Sequence, residues 1–434
     1  MPRGRPGLRS ALILAFLVSA GLIFGRSPAV TVRPAAAGQQ PPAERILPYA
    51  DPWEGLLNLV PPPPGEAVTA AALARLAAGL LAMIEGRLGE AERQFAPLTA
   101  SPEDRRVQAA AADLLGETLW SQGRWVNFIA GGAHYSQDLR DDLPLAEVFQ
   151  GAAPEEWYFP PAAVELKLAR SPLGTPVLPV AINGRKFDFW LDTGAGLTVL
   201  ADDTARKAGV AVDGRATPAR TATRLTVTAR GTIIEELRLG PITARNLPSV
   251  VVSRKDLVLP ASSRGRPVQI AGLIGWQALR RLRIGLDLKH GRCWLGRPAQ
   301  VATDGRKSAR NLCWIGYPFL RVLTADGVPM HFGLDSGAAH SSLTENGLLK
   351  SGVVPGKNRR VKIASAGGTE SSVVQTAQRL DLWLAGRQVR LERLPVWPAR
   401  GAAFMKLDGI LGADLLGQAP LVIDGASGRF EWRP

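Results

Sequence analysis

The stretch FWLDTGAGLTVL (residues 189–200) has a counterpart in FGLDSGAAHSSL (residues 332–343), and this duplication constrains the fold more than any other feature. In each copy an Asp closes an apolar run that reads as the end of a buried strand, and Thr or Ser, Gly and Ala follow. Asp192 and Asp335 lie 143 positions apart, and an Asx-Gly pair (Asn183-Gly184, Asp326-Gly327) stands nine residues before each. The match continues downstream. AGLIGWQALRRLRIGLDLKHGRCWLG lies on DGILGADLLGQAPLVIDGASGRFEW, with Gly275 on Gly412 and Asp287 on Asp424, both 137 apart. A chance Asp-Ser/Thr-Gly arises on the order of once in two thousand positions. Two of them, each behind an Asx-Gly turn and each with a paired downstream motif, indicate a duplicated unit of about 130 residues, a plausible domain size.

An unpaired carboxylate buried at a strand end costs several kcal/mol. Two carboxyls brought face to face across a pseudo-twofold axis avoid that cost by sharing a proton, and their apparent pKa values move apart. One then acts as base on a water, while the other, protonated, donates to the carbonyl under attack. Asp192 and Asp335 are the candidate pair. Thr193 and Ser336 can tie the two loops together through hydroxyl-to-backbone hydrogen bonds. Gly194 and Gly337 let backbone amides approach the carboxylates without a Cβ clash. The competing reading is that both Asp residues are turn formers, since Asp is common before Gly in turns; the apolar run before each argues against it.

From about residue 160 onward, short runs alternate with period two around Asx-Gly turns, as in VLPVAINGRKFDFWLD and RVLTADGVPMHFGLD, so the region is read as mainly β. LDTGA and LDSGA, with AGLIG and DGILG as their apolar-apolar-Gly partners, resemble the aspartic proteases of the retropepsin type in a tandem form. The resemblance implies two retropepsin-like acid-protease β-barrel lobes, 161–300 and 301–434, with residues 192–194 and 335–337 at the catalytic triplets and the downstream motif packed beneath each catalytic loop. Ala195 and Ala338 stand where many pepsin-like members carry Ser; without a hydroxyl to stabilise the ionised carboxylate, the dyad is expected to work nearer neutral pH. Asp414 fits the acidic position after the downstream Gly, whereas Gln277 and Trp276 depart from it. Flap hairpins are expected in both copies, with Ala222 and Thr223 at the first tip and Gly367 and Gly368 at the second, which is taken as the mobile one; the alternative is a pair of ordinary edge hairpins.

The rest of the chain is different in kind. Residues 1–25 pair an Arg-rich start with the uncharged run ALILAFLVSAGLIF, the pattern of a secretory signal peptide, with a small-residue cut after Ala37, or of an N-terminal membrane anchor. Export to the periplasm or the outside follows from either. Residues 26–66 are Pro-rich and read as an extended linker ending in VPPPPGE. Residues 67–132 carry apolar residues at spacings of three and four and read as helical hairpins. Gly79, Ala91, Phe95, Leu98 and Pro102 resemble a tetratricopeptide repeat, with a generic Ala-rich bundle as the alternative. Residues 133–160 are assigned as a linker.

Composition excludes several classes. The chain has 434 residues and a formal charge of +14, but its Arg residues are scattered and no nucleic-acid motif is present. Four His residues without ligand spacing and only two cysteines imply no metal and no organic cofactor. Cys293 and Cys313, in the similar strings RCWLG and LCWIG, are read either as a disulfide or as two buried thiols. Trp190, Trp276, Trp294 and Trp314 are read as core or interface aromatics, His340 as a loop residue, and Asp287 and Asp424 as turn formers. Together these readings describe an exported aspartic endopeptidase acting on peptide or protein substrates, monomeric because both lobes lie in one chain, with the helical domain as a possible docking surface. The alternatives are a catalytically silent binding or regulatory module of the same fold, and a dimer with two dyads.

Overall fold

The computed structural model describes residues 20–23, 29–35, 39, 70–100, 105–223, 225–260, 266–299, 310–398 and 407–433. The leader before residue 20, Ala37, the VPPPPGE run and Pro102 lie outside them. Among the described residues no helix is long and apolar enough to cross a membrane.

The described residues begin with two strands, β1 (Ala20–Ile23) and β2 (Ala29–Pro34), both paired with lobe 2. Helices α1 (Ala70–Ile84), α2 (Leu88–Thr99) and α3 (Arg105–Gln122) pack as successive hairpins. Ala91, Phe95 and Leu98 recur at four and three and form the buried face of α2. The Phe95 ring lies on Gly79, where a Cβ would stand 2.4 Å from it, so α1 and α2 approach closely only because that position has no side chain.

Residues 133–160 are not a linker. Helix α4 (Trp125–Gly131) is followed by α5 (Gln137–Arg140), α6 (Leu143–Phe149) and a strand, β3 (Glu156–Tyr158), that joins the lobe 1 sheet. Leu145, Ala146 and Phe149 repeat at helical spacing and are fully buried, which is what the polar-looking sequence between them concealed.

Lobe 1 contains β4 (Val164–Lys167), β5 (Ala169–Arg170), β6 (Pro176–Ile182), β7 (Arg185–Leu191), β8 (Thr198–Ala201) and a short helix α7 (Asp202–Lys207). It continues through the long hairpin β9 (Val212–Arg220) and β10 (Thr226–Leu239) to β11 (Ile242–Val252). A small pair, β12 (Val258–Leu259) and β13 (Val268–Gln269), precedes β14 (Gly272–Ile274) and α8 (Trp276–Leu279). Strands β15 (Arg283–Asp287) and β16 (Arg292–Gly296) close the lobe.

Lobe 2 repeats the plan. It has β17 (Leu312–Ile315), β18 (Tyr317–Thr324), β19 (Pro329–Leu334), β20 (Ser342–Thr344) and α9 (Glu345–Ser351). The hairpin β21 (Arg359–Ser365) and β22 (Gly368–Leu384) leads to β23 (Arg387–Trp397), β24 (Gly409–Leu411) and α10 (Ala413–Leu416). Strands β25 (Leu421–Asp424) and β26 (Arg429–Trp432) end the described chain.

The main sheets have the same order, strand for strand. Lobe 1 runs β9-β10-β6-β7-β14-β8-β11-β3, and lobe 2 runs β21-β22-β18-β19-β24-β20-β23-β2 with β1 added outside β21. Residues expected to be linker thus supply the last strand of each: β3 for lobe 1 and β2 for lobe 2. Val30 of β2 is buried in the core that both lobes share. The Asn183-Gly184 turn has both residues at positive φ (47° and 80°), the conformation a tight two-residue hairpin needs, and it sets the register of β6 on β7. A five-stranded sheet, β26-β25-β15-β16-β4, joins the lobes through backbone pairing of β15 with β25. Asp287 and Asp424 cap its turns by accepting the amides of His290 and Ser427.

Trp190, Trp276 and Trp314 are buried, and Trp294 is half-buried against Arg292 and Arg433. Cys293 and Cys313 are both unbonded. Their strands belong to different sheets: β16 lies between β15 and β4, whereas β17 pairs only with β18 and turns its Cys toward the helices. The likeness of RCWLG to LCWIG therefore does not make the two strands neighbours. Burial pushes both thiols up, Cys313 to about 12, so they are poor nucleophiles in the fold. Titration with an aromatic disulfide reagent, without reductant, is expected to find two thiols per chain in denaturant and almost none in the native protein.

Candidate active site

Asp192 and Asp335 each follow an apolar strand end. The amide of Asp192 donates to Ile274 O (3.1 Å) and that of Asp335 to Leu411 O (3.0 Å), so the downstream motif holds both loops in place. Beyond it, Trp276 N donates to Ala195 O (2.6 Å) and Ala413 N to Ala338 O (2.8 Å). This is the packing beneath each catalytic loop that the motif order implies. Gly275 and Gly412 are needed there, because a Cβ would stand 2.2 Å from Leu197 O and 2.8 Å from Ala338 O.

The two loops meet. Asp192 and Asp335 are 0% and 1% exposed although they come from different lobes. Gly194 and Ala195 donate their amides to Asp192 Oδ1 (3.0 and 3.2 Å), and Gly337 and Ala338 donate theirs to Asp335 Oδ1 (both 2.9 Å). Oδ2 of each carboxyl is buried with no hydrogen-bond partner among the described residues, and the two carboxyls are close enough for each to shift the other's titration. A Cβ on Gly194 would lie 2.6 Å from Asp335 Cγ, and one on Gly337 would lie 2.5 Å from Asp192 Cγ. These glycines let each carboxyl rest against the opposite loop.

Four hydrogen bonds cross the pseudo-twofold axis. Thr193 Oγ1 donates to Leu334 O (2.5 Å) and Ser336 Oγ to Leu191 O (2.6 Å). The amides of Thr193 and Ser336 each donate to the other residue's hydroxyl at 2.9 Å. Thr193→Val leaves the buried Ser336 amide without its acceptor and is expected to cost about 1–3 kcal/mol, read from the urea midpoint at constant m-value.

Electrostatics follow from burial. Asp192 is raised to about 7, first by desolvation and against the pull of the Gly194 and Ala195 amides. Asp335 is raised well above its usual range by desolvation and then by the Asp192 charge. Such a pair holds one proton over a wide span of pH, one carboxyl as acid and the other as base.

The two hairpin tips meet each other. Gly367 takes φ +84° at the tip of β21–β22, a conformation that favours glycine, and its amide donates to Asp256 O (2.9 Å). Thr223 Oγ1 lies 3.1 Å from Ser365 Oγ, which also donates to Thr221 Oγ1. Gly367 and Gly368 pack on Val227 and Leu225. The first tip thus meets the second through Thr223 on Ser365 and through Leu225 and Val227 on Gly367 and Gly368, and each tip is held by the other.

The sequence reading missed several contributors. Thr198 and Ser341, six residues after Asp192 and Asp335, accept the amides of Gly275 and Gly412 (3.4 and 3.0 Å), and their equivalence was legible in the duplication. In lobe 2 Asp414 anchors Ser341 through its amide and hydroxyl (2.8 and 2.7 Å). In lobe 1 Gln277 replaces that Asp and donates its amide to Gly196 O (3.0 Å). Tyr317 is buried near enough to Asp335 for that charge, after desolvation, to raise its hydroxyl. It has no motif and could not have been found.

Residues 178–278 match the family model described as aspartyl protease. No curated protein sequence matches the chain. Among solved structures, the chain is similar to an aspartic proteinase from Irpex lacteus at 12% identity and TM-score 0.37, covering 62% of this chain and 96% of that one. It is also similar to a retropepsin-like aspartic protease from Rickettsia conorii at 20% identity and TM-score 0.22, covering 33% of this chain and 94% of that one. The family match thus covers residues 178–278, within lobe 1, and the described body around them is mainly β, in two lobes of matching strand order.

Proposed function

We propose that the chain is an exported aspartic-type peptidase that hydrolyses peptide bonds by activating water between Asp192 and Asp335. The observation that carries the reading is the pair itself: two buried carboxyls from different lobes, each held through Oδ1 by backbone amides, each resting against the opposite loop's glycine, and each with a buried Oδ2 that no protein group among the described residues satisfies. The ionised carboxyl takes a proton from water as its oxygen bonds to the peptide carbonyl carbon. The protonated carboxyl gives its proton to the carbonyl oxygen, so the tetrahedral species carries no full charge. Return of a proton to the amide nitrogen breaks the C–N bond and leaves a carboxylic acid and an amine. No covalent enzyme intermediate is required.

Because both Asp residues come from one chain and β15–β25 ties the lobes together, the working unit is a monomer. Export is supported by the Arg-rich, apolar start of the sequence. A cut after Ala37 would remove β2 from the lobe 2 sheet, so N-terminal sequencing of the exported protein is expected to find residues 29–34 retained.

The test is cleavage of a linear peptide mixture between pH 3 and 8 in ¹⁸O-water. New C-termini carrying one ¹⁸O are expected, with none from Asp192→Asn. Absence of new termini at every pH would overturn the reading in favour of a silent binding module.

A further inference from the structure

The loops that carry Asp192 and Asp335 are braced in different ways. In lobe 2 the short helix α10 clasps its loop with a carboxylate, since Asp414 accepts both the amide and the hydroxyl of Ser341. In lobe 1 the equivalent helix α8 has Gln277 at that position and offers no carboxylate to Thr198. Its backbone still reaches the loop, through Trp276 N on Ala195 O (2.6 Å) and Gln277 N on Gly196 O (3.0 Å). One turn further on, where lobe 2 has Gly417, α8 is closed by Arg280, whose amide donates to Trp276 O (2.8 Å).

Arg280 is only 9% exposed, and a buried cation is costly unless it is hydrogen-bonded. Desolvation pulls its guanidinium down to about 9, which still leaves it charged at neutral pH. Its Nη2 donates to Ser121 O, one of the carbonyls at the C-terminus of α3 that the helix itself cannot satisfy. A cation there also meets the negative end of the helix dipole. The guanidinium lies over the ring of Trp314 in lobe 2, 4.7 Å from its centroid. Trp314 rests in turn on Gly86, at the turn between α1 and α2, where a Cβ would stand 3.3 Å from the indole. Lobe 2 also touches α8 directly: a Cβ on Gly425 would stand 3.0 Å from Trp276 and 3.2 Å from Arg280. Gly196, at the end of the Asp192 loop, lines one crevice of about 20 Å³ with Ser121, Arg280 and Trp314. A single side chain thus joins α8 to the helical hairpins and to lobe 2, beside that loop.

We propose that Arg280 is a positioning residue for the reaction. Anchored on Ser121 O and Trp314, it fixes α8 and, through the Trp276 and Gln277 amides, the loop that carries Asp192. The helical hairpins then take the place of the carboxylate clasp that lobe 1 lacks. This rests on the peptidase reading and adds to it a residue that acts through the loop rather than on the reacting atoms.

The test is steady-state peptide cleavage by variants of the full chain. Arg280→Met keeps the length of the side chain and removes the guanidinium. It is expected to lower kcat about 100-fold, as small misplacement of a reacting group does, with KM within about twofold of the parent. Arg280→Lys can still donate to Ser121 O and is expected to recover at least about tenfold of that loss. Leu384→Ala empties a buried site at the end of β22 away from the hairpin tip, and is expected to keep kcat within about twofold despite lost stability. Should Arg280→Met fail to fold, Arg280→Lys carries the test, with kcat expected about threefold to tenfold below the parent at unchanged KM. Parental kcat in the Met variant, or in the Lys variant where only that one folds, would overturn the positioning role and leave the peptidase reading intact. So would a Lys variant no better than Met, a loss confined to KM, or an equal loss of kcat in Leu384→Ala. No cleavage by the parent protein would remove the peptidase reading itself, and this inference with it.

Discussion

Asp335→Asn is expected to lower kcat/KM for peptide hydrolysis by about 10⁴-fold, the upper range for loss of a general acid–base group, and to leave the chain folded. It is also expected to make the fold more stable at pH 8 than the parent. Burial and the neighbouring Asp192 charge raise Asp335 in the folded state, and burial raises Asp192 to about 7. The folded chain therefore binds these protons more tightly than the unfolded chain, whose carboxyls titrate near pH 4. The stabilisation this gives is complete below about pH 4 and is lost as pH rises toward the folded-state values. At about 1.4 kcal/mol per pKa unit, the upward shift of Asp192 alone corresponds to at most ~4 kcal/mol lost between pH 4 and 7. An Asn at position 335 cannot ionise, so the gap in Tm between variant and parent is expected to widen from pH 5 to pH 8. A variant that melts below the parent at pH 8 would contradict the buried, proton-sharing geometry. Asp192→Asn is expected to behave in the same way, since the two loops are near images of each other.

The second large effect is steric. A methyl on Gly337 would sit 2.5 Å from Asp192 Cγ, and one on Gly194 would sit 2.6 Å from Asp335 Cγ, with the opposing loop fixed by four cross-axis hydrogen bonds. Neither loop can yield without separating the carboxyls. Gly337→Ala is thus expected to cost about 10²-fold or more in kcat, as sub-ångström-to-ångström misplacement of reacting groups does, and about 1–3 kcal/mol of stability from overpacking. Gly184→Ala serves as the control. That glycine has φ +80° and open space around it, so its replacement is expected to cost about 1 kcal/mol of hairpin stability and leave kcat unchanged. Equal kcat losses in the two variants would show that general destabilisation, rather than the loop contact, sets the rate.

Much of this arrangement was legible because it is written twice. The 143-residue offset that aligns Asp192 with Asp335 also aligns Thr193 with Ser336 and Gly194 with Gly337, and the structure crosses these same residues over the axis. The identical strand orders of the two main sheets are the physical form of that repeat. Much of what escaped the reading lies outside the duplicated sequence. Helix α6 buries Leu145, Ala146 and Phe149 in only seven residues, too short a stretch for periodicity to stand out beside Pro144 and the acidic residues around it. Strands β2 and β3 are short edge strands whose partners lie far away in sequence, and a Pro-rich neighbourhood concealed the first. The disulfide alternative failed for a related reason: local similarity of two Cys-Trp strings says nothing about which sheet each strand joins. The merging of the helices with the lobe 1 core was likewise beyond one-dimensional patterning, because Trp120 and Phe149 read as ordinary helical core residues.

The most direct test of a single dyad shared within one chain is the cleavage rate of a linear peptide mixture by an equimolar mixture of the Asp192→Asn and Asp335→Asn proteins, measured beside the parent. No activity above either variant alone is expected, because each chain contributes both carboxyls to its own site. Recovery toward about a quarter of the parent rate, the share a random exchange of lobes between two chains would restore, would contradict it and place the dyads between chains.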